Sequence, residues 1–229
     1  MCGRFTLGET DKLAELFDLR EWSPVPARYN VAPSQAVPVV VLNRETAARE
    51  VRRMRWGLVP FWAKDPTIGD RMINARAETV TTKPAFRRSF RERRCLIAAD
   101  GFYEWQRQGR RKQPWYIRRR DGWPFAFAGL WDVWQPPVGE PLETCTIITT
   151  TPNALLAPIH NRMPVILARL DFARWLDPTY QDLEPLTRML VPCPAEDFEA
   201  FPVSPHVNNP ANEGAECRAP LLKRIEPGA

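Results

Sequence analysis

Apolar positions recur along this chain in short runs, and their spacing predicts the elements. Leu13, Leu16 and Phe17 fall at helical spacing within residues 9–18, with Thr10 placed to cap the first turn, and predict a short helix. A β-branched apolar run at 37–42 reads as a strand, and segment 49–56, which alternates less cleanly, is expected to pair with it. Phe86 and Phe90 stand four apart in the basic stretch 84–94 and predict a helix there. Strand signals then crowd together at 95–99, 101–106, 115–119, 125–130 and 144–149. Residues 153–157 read as a helical turn, 164–167 as a strand and 171–176 as a short helix, with a last strand near Val203. Short turns between consecutive strands favour antiparallel neighbours, because a parallel pair needs a crossover of about a dozen residues or more. The pattern predicts one α+β domain over residues 1–229. Its sheet should be curled, mainly antiparallel and barrel-like, flanked by short helices.

Composition narrows the class. The 229 residues suffice for a full core, and 24 prolines, spread along the chain rather than gathered in one tract, imply many fixed turns. No apolar run approaches the roughly 20 residues that span a bilayer, and the N-terminus lacks the basic-then-apolar order of a secretory signal. Five cysteines without C-x-x-C spacing and only two histidines argue against structural zinc, so no metal or other cofactor is expected. The expected setting is the reducing cytoplasm, at the nucleoid when bound to damaged DNA, and the expected state a monomer.

Charge changes the picture further. The net +5 conceals a segment, residues 44–120, holding 21 Lys and Arg against 8 Asp and Glu, while the remainder is net acidic. Such a segment suits a polyanionic partner, since Lys and Arg displace counterions from phosphates; an arginine-rich solvated surface is the plainer alternative.

Four residues could carry chemistry. Cys2 becomes the N-terminus once Met1 is removed, placing an α-amine and a thiol on adjacent carbons. That pair condenses with an aldehyde to a five-membered thiazolidine, which an internal cysteine cannot do. His160 stands between a proline turn and an apolar strand, a place for a general acid or base near neutral pH or for a structural imidazole. Glu104, within Phe-Tyr-Glu-Trp, shares a strand face with Phe102, where desolvation would raise its pKa, unless an arginine pairs it. Asn74 could orient a nucleophile or cap a turn, and Arg76 beside it could hold a phosphate. Trp56, Phe61 and Trp62 offer either base-stacking faces beside the basic segment or ordinary core.

Taken together, these segments resemble the SRAP family, the abasic-site-processing proteins also called SOS-response-associated peptidases. The matching pieces are Met1-Cys2-Gly3-Arg4-Phe5, Arg28-Tyr29-Asn30-Val31-Ala32-Pro33, Trp56-Gly57-Leu58, Asn74 to Thr79, Gly101 to Trp105, His160 to Pro164, and Pro202-Val203-Ser204 with Val207-Asn208-Asn209. The resemblance implies a covalent DNA-protein crosslink, formed through Cys2, to abasic sites in single-stranded DNA. It also implies abasic-site lyase chemistry and self-cleaving removal of Met1. By the same resemblance Asn74 positions the Cys2 amine and the sugar, His160 assists ring opening, and Glu104 moves protons. Arg4, Arg76 and Arg162 would grip phosphates, while Pro33, Phe61 and Trp62 shape the DNA around the lesion. Three other readings stay open. Met-Cys-Gly also begins glutamine amidohydrolases with an N-terminal nucleophile. The chain could bind single-stranded DNA without covalent chemistry, or act as a peptidase on other proteins.

Overall fold

The computed structural model describes residues 2–23, 25–180 and 182–221. Strands β1 (Phe5–Leu7) and β2 (Arg28–Val31) flank the short helix α1 (Leu13–Phe17). Then come β3 (Ala36–Leu42), β4 (Arg49–Trp56), β5 (Asn74–Arg76), α2 (Arg87–Glu92) and the run β6 (Arg94–Ala99), β7 (Gly101–Gln108), β8 (Arg111–Arg119), β9 (Phe125–Trp134) and β10 (Leu142–Thr150). The two-residue strands β11 (Met163–Pro164) and β12 (Ile166–Leu167), helices α3 (Phe172–Leu176) and α4 (Leu183–Arg188), and β13 (Phe198–Pro202) complete the order. The class is α+β.

Strands β10, β4, β3, β6 and β9 pair in that order, and β9 pairs back onto β10, so the five close into a barrel. Closure leaves the barrel strands without free edges. A second sheet, β13-β8-β7-β1-β2, is antiparallel throughout. The expected curled, mainly antiparallel sheet is what forms. Two pairings depart from the antiparallel expectation: β10 runs parallel to both β4 and β5. Long connections separate these partners in sequence, which leaves room for the crossover a parallel pair requires.

Strand alternation assigns the core. Along β6, Cys95, Ile97 and Ala99 join Phe5, Phe102 and Ile117 of the second sheet, whereas Leu96 and Ala98 pack under Phe17, Phe172 and Trp175 of the helices. All six residues of β6 are buried, which explains the unbroken apolar run that follows Arg94, from Cys95 to Ala99.

Two polar devices hold the N-terminal strand. The buried Asp100 accepts hydrogen bonds from the Gly8 and Glu9 amides (2.7 and 2.9 Å) and from the Thr6 hydroxyl, fixing the end of β1 beside β7. Residues 203–221 strap the open edge of β2, where Glu213 accepts from the Tyr29 amide, the Asn30 amide (3.0 Å) and Arg28 Nε (2.8 Å). Asn30 Nδ2 reaches the carbonyls of Val207, Asn209 and Asn212.

Several local expectations shift. Thr10 is buried and caps nothing; the turn before α1 is a 3-10 helix preceded by Glu9, without a side-chain cap. The basic helix covers only 87–92, because Lys83 to Phe86 form turns around Pro84. The last strand precedes Val203, which instead forms an isolated bridge to Pro220.

Candidate active site

Cys2, Glu104 and His160 converge where the second sheet meets the barrel. The antiparallel register pairs Phe5 with Phe102, and the Tyr103 amide donates to the Arg4 carbonyl (3.0 Å). Extending that register sets Gly3 opposite Glu104 and brings Cys2 to the same end of β7. Cys2 is fully buried among Trp56, Ile147 and Leu156. Burial pushes its thiol well above the ordinary value, and the Glu104 carboxylate adds to the shift.

Glu104 is itself buried, on the Phe102 face of β7 as alternation requires, while Tyr103 and Trp105 turn to the opposite face. Desolvation raises its carboxyl to about 7, so at neutral pH it holds its proton about half the time. No arginine pairs with it among the described residues, and His160 Nε2 lies 3.9 Å from Glu104 Oε2. His160 Nδ1 accepts from the Arg162 amide (3.0 Å). The same Nδ1 lies 3.2 Å from the Arg162 carbonyl, to which it donates in the other tautomer, and Nε2 is the nitrogen facing Glu104. Burial lowers the histidine pKa, which keeps the ring neutral. Glu104, His160, Arg107 and Lys112 line a cleft of about 580 Å³.

Asn74 opens β5, which pairs in parallel with Ile147 of β10. Its Nδ2 donates to the Ile73 carbonyl (2.9 Å), and its Oδ1 is buried without a hydrogen-bond partner among the described residues. Ile73 and Ile147 pack in the same core cluster as Cys2, so this open acceptor sits at the rim of the same floor. It is no turn cap.

The six residues assigned to DNA divide by circumstance. Arg76 is exposed, outside every ion pair among the described residues. Arg162 is occupied: it forms a two-pronged pair with Glu78 (2.5 and 3.0 Å) and donates to the Thr149 carbonyl (2.6 Å). Arg4 donates to Asn30 Oδ1 (2.7 Å) and to the carbonyls of Val207 and Asn208 (2.9 and 3.5 Å), clamping the N-terminal strand to the strap. Phe61 and Trp62 are 48% and 47% exposed, with the Arg88 guanidinium 4.4 Å over the Phe61 ring. Trp56, grouped with them on sequence grounds, is core instead, donating its indole N–H to the Ile73 carbonyl (2.9 Å).

Pro33 is half-buried in a turn whose next residue, Ser34, adopts φ 68°. Ser34 Oγ donates to Asp70 (3.0 Å), and Arg55 reaches both (3.2 and 2.6 Å), tying the Pro33 turn to the loop that follows Trp62. At the root of that loop Gly57 has φ +130°, and a Cβ there would stand 2.6 Å from the Gly69 carbonyl oxygen, so only glycine permits the contact.

Sequence reasoning missed Glu78 as the partner of Arg162 and Arg88 as the partner of Phe61. Neither follows a spacing rule, since 84 residues separate the first pair. Among the described residues no group of three His, Cys, Asp or Glu could hold a metal ion, and no helix is long and apolar enough to cross a membrane.

Glu104 supplies a test of its burial. The folded carboxyl keeps its proton to about 7 and the unfolded one releases it near 4.5, so the folded state binds the extra proton between those values. The associated stability is full below about pH 4.5 and is lost as pH rises through 7, by about 3 kcal/mol in all. Glu104→Gln cannot ionise. Between pH 5 and pH 8 the wild-type melting temperature should fall by several degrees more than that of the variant. Parallel profiles would mean that the carboxyl titrates as an exposed one.

Comparison with known proteins identifies the family. The model of the SOS response associated peptidase (SRAP) family matches residues 1–210. The abasic site processing protein YoaM of Bacillus subtilis is 47% identical over 221 residues, spanning 94% of this chain and 96% of its own. The abasic site processing protein HMCES of Gallus gallus is 35% identical, over 89% of this chain and 68% of its own. A crystal structure of a Bacteroides thetaiotaomicron protein superposes with a TM-score of 0.86 at 28% identity, covering 96% of this chain and all of that one.

Proposed function

The chain belongs to the SRAP family, and from that premise we propose that it processes abasic sites in single-stranded DNA by covalent capture through Cys2. One observation carries the reading: a buried acid poised near neutrality lies beside the second residue of the chain, a cysteine.

Loss of Met1 frees the Cys2 amine. The amine adds to C1′ of the ring-opened deoxyribose, and the carbinolamine loses water to give an imine. The thiol then adds across the C=N bond, sulfur to C1′ and proton to nitrogen, closing a thiazolidine. Only one water leaves. Glu104 donates the proton that the departing hydroxyl needs and accepts the thiol proton, both within reach of a group near pKa 7. Burial holds the thiol protonated until Glu104 takes that proton. His160 serves the sugar ring oxygen during opening from Nε2, in the tautomer that carries its proton there, and Asn74 Oδ1 accepts from the amine.

The same imine acidifies C2′. If Glu104 removes a C2′ proton, C2′=C3′ forms and the 3′ phosphate leaves, which is the lyase branch. In self-cleavage the thiol would add to the Met1 carbonyl, Glu104 would protonate the departing Cys2 nitrogen, and water would hydrolyse the resulting thioester, releasing methionine and restoring the thiol.

Arg76 is the cation readiest for a phosphate. Arg162 binds one by exchanging Glu78 for it, and Arg4 supports Cys2 while presenting its remaining N–H groups. Pro33, Phe61 and Trp62 form the tied pair of loops that shapes the strand at the lesion.

The deciding experiment incubates the protein with a single-stranded oligonucleotide carrying one abasic site. A denaturing gel and an intact-mass spectrum should show an adduct of protein lacking Met1 plus oligonucleotide minus one water. Correctly processed protein that gives no adduct would overturn the reading. Stacking can be tested separately. Trp62→Ala should leave the fold intact, because the ring is half exposed, and weaken binding to undamaged single strands about tenfold, the effect of roughly 1–3 kcal/mol per stacked base. Unchanged affinity would remove Trp62 from the interface.

A further inference from the structure

The β7–β8 hairpin turns at Gly109, with φ +60°, and carries four exposed cations, Arg107, Arg110, Arg111 and Lys112. No Asp or Glu occurs from Trp105 to Arg120. Among the described residues none of the four side chains takes part in an ion pair or hydrogen bond. Four other arginines of the basic segment serve carboxylates of the fold: Arg52 pairs with Glu50 and Glu143, Arg55 with Asp70, Arg93 with Asp132 and Arg118 with Glu199.

Register sharpens the point. Arg107 stands directly opposite Lys112, and Arg111 is next along the strand. Like charges directly opposite each other destabilise a hairpin. Among the described residues no acid pairs with either, and Arg107 and Lys112 wall the same cleft as Glu104 and His160. An anion bound between them would relieve the repulsion.

We infer that this hairpin is a phosphate-binding arm that holds the DNA backbone on one side of the abasic nucleotide. The inference rests on the abasic-site reading for its DNA partner. At about 3.4 Å per residue, Arg107 lies about 10 Å and the tip about 17 Å along the strand from Glu104, the span of about three to five stacked nucleotides. The arm therefore grips phosphates three to five positions from the lesion.

The test uses the full chain with Arg110→Gln, Arg111→Gln and Lys112→Gln combined. Affinity for a long undamaged single strand is measured against salt concentration. Adduct formation at subsaturating protein is then followed on abasic oligonucleotides shortened from either end. The variant should bind tenfold or more weakly at low salt, with a log–log salt slope smaller by about 2, since each lost phosphate contact contributes about 0.7. Its deficit in adduct formation should shrink when one flank, and not the other, is cut below three nucleotides. The melting temperature should stay level or rise as the repulsion is removed. Equal affinity and slope, a deficit indifferent to both truncations, or a fall in melting temperature would each overturn the arm. If wild-type protein forms no adduct, the crosslinking reading fails alone, while affinity and salt slope still read the hairpin.

Discussion

Cys2→Ala is expected to form no adduct with abasic DNA that survives denaturation without reduction, while still binding an undamaged single strand. The substitution removes a thiol from the apolar floor beside Glu104 and leaves Arg76, Phe61 and Trp62 untouched. Its stability cost should be about 1 kcal/mol, the scale of a small buried truncation. Cys2→Ser separates the two halves of the chemistry. Its α-amine still condenses with the aldehyde, but the hydroxyl does not close the ring efficiently, so an adduct should survive denaturation only after reduction of the imine. The wild-type rate should change most near pH 7, where Glu104 passes between its two forms and can both donate and accept. An adduct of Cys2→Ala that survives denaturation without reduction would assign the attachment to another nucleophile. Hydrolysis of free glutamine by wild-type protein that forms no adduct would favour the amidohydrolase alternative.

The second large effect is structural. Arg94→Ala is expected to destabilise the fold by about 4 kcal/mol, a large share of the 5–15 kcal/mol typical of a domain. Arg94 is buried at the start of β6 and forms no salt bridge among the described residues; a ring of main-chain carbonyls solvates the charge, and the Asp177 carboxylate nearby favours it. It donates to Phe90 (2.7 Å) and Arg91 (2.8 Å) at the end of α2, to Trp175 (2.7 Å) and Asp177 at the end of α3, and to Tyr180 (3.3 Å). Two helix C-termini, whose last carbonyls have no intrahelical partners, thus share one cation. Burial lowers its pKa to about 10, which still leaves it charged at neutral pH. Truncation strands these acceptors and opens a cavity. Arg94→Met refills part of the volume and should recover part of the loss. Urea unfolding of the three proteins measures both, and a loss below about 1 kcal/mol would mean that water replaces the guanidinium at no cost.

Arg94 also marks where sequence reasoning stops. It counts toward the basic segment that suggested a polyanionic partner, yet it faces the core, as charge totals alone cannot tell. Arg52, Arg55, Arg93 and Arg118 likewise serve carboxylates of the fold, leaving fewer cations for DNA than the total implies.

Long, strongly patterned strands were legible. The 37–42 and 49–56 runs pair as expected, and the strands from 95 to 149 stand within a few residues of their predicted bounds. Three-residue β1 and β5 were not legible, because segments that short contain too few alternations to reveal a period, whereas the strand expected at 164–167 forms as the two short pieces β11 and β12. Helix α4 escaped for a related reason: its six residues include Pro185 and bury one leucine, too little to mark an apolar face. Parallel pairing of β10 was invisible because nothing in a strand's own residues records its neighbour's direction.

By itself the sequence determined the reactive inventory: an aminothiol at position 2 once Met1 is lost, Glu104 on the Phe102 face of a strand, and a histidine at a strand entrance. It also determined which family resemblance those residues could support. Only the tertiary structure decided that Glu104 is desolvated to about 7, that His160 turns Nε2 toward it, and that Arg4 and Arg162 are engaged while Arg76 is not. The physical reason is one of range. Residue type and alternation are local properties, carried by a residue and its neighbours a few positions away. Burial, charge pairing and pKa are sums over groups that the barrel brings together from positions as distant as 104 and 160, and they do not exist until it closes.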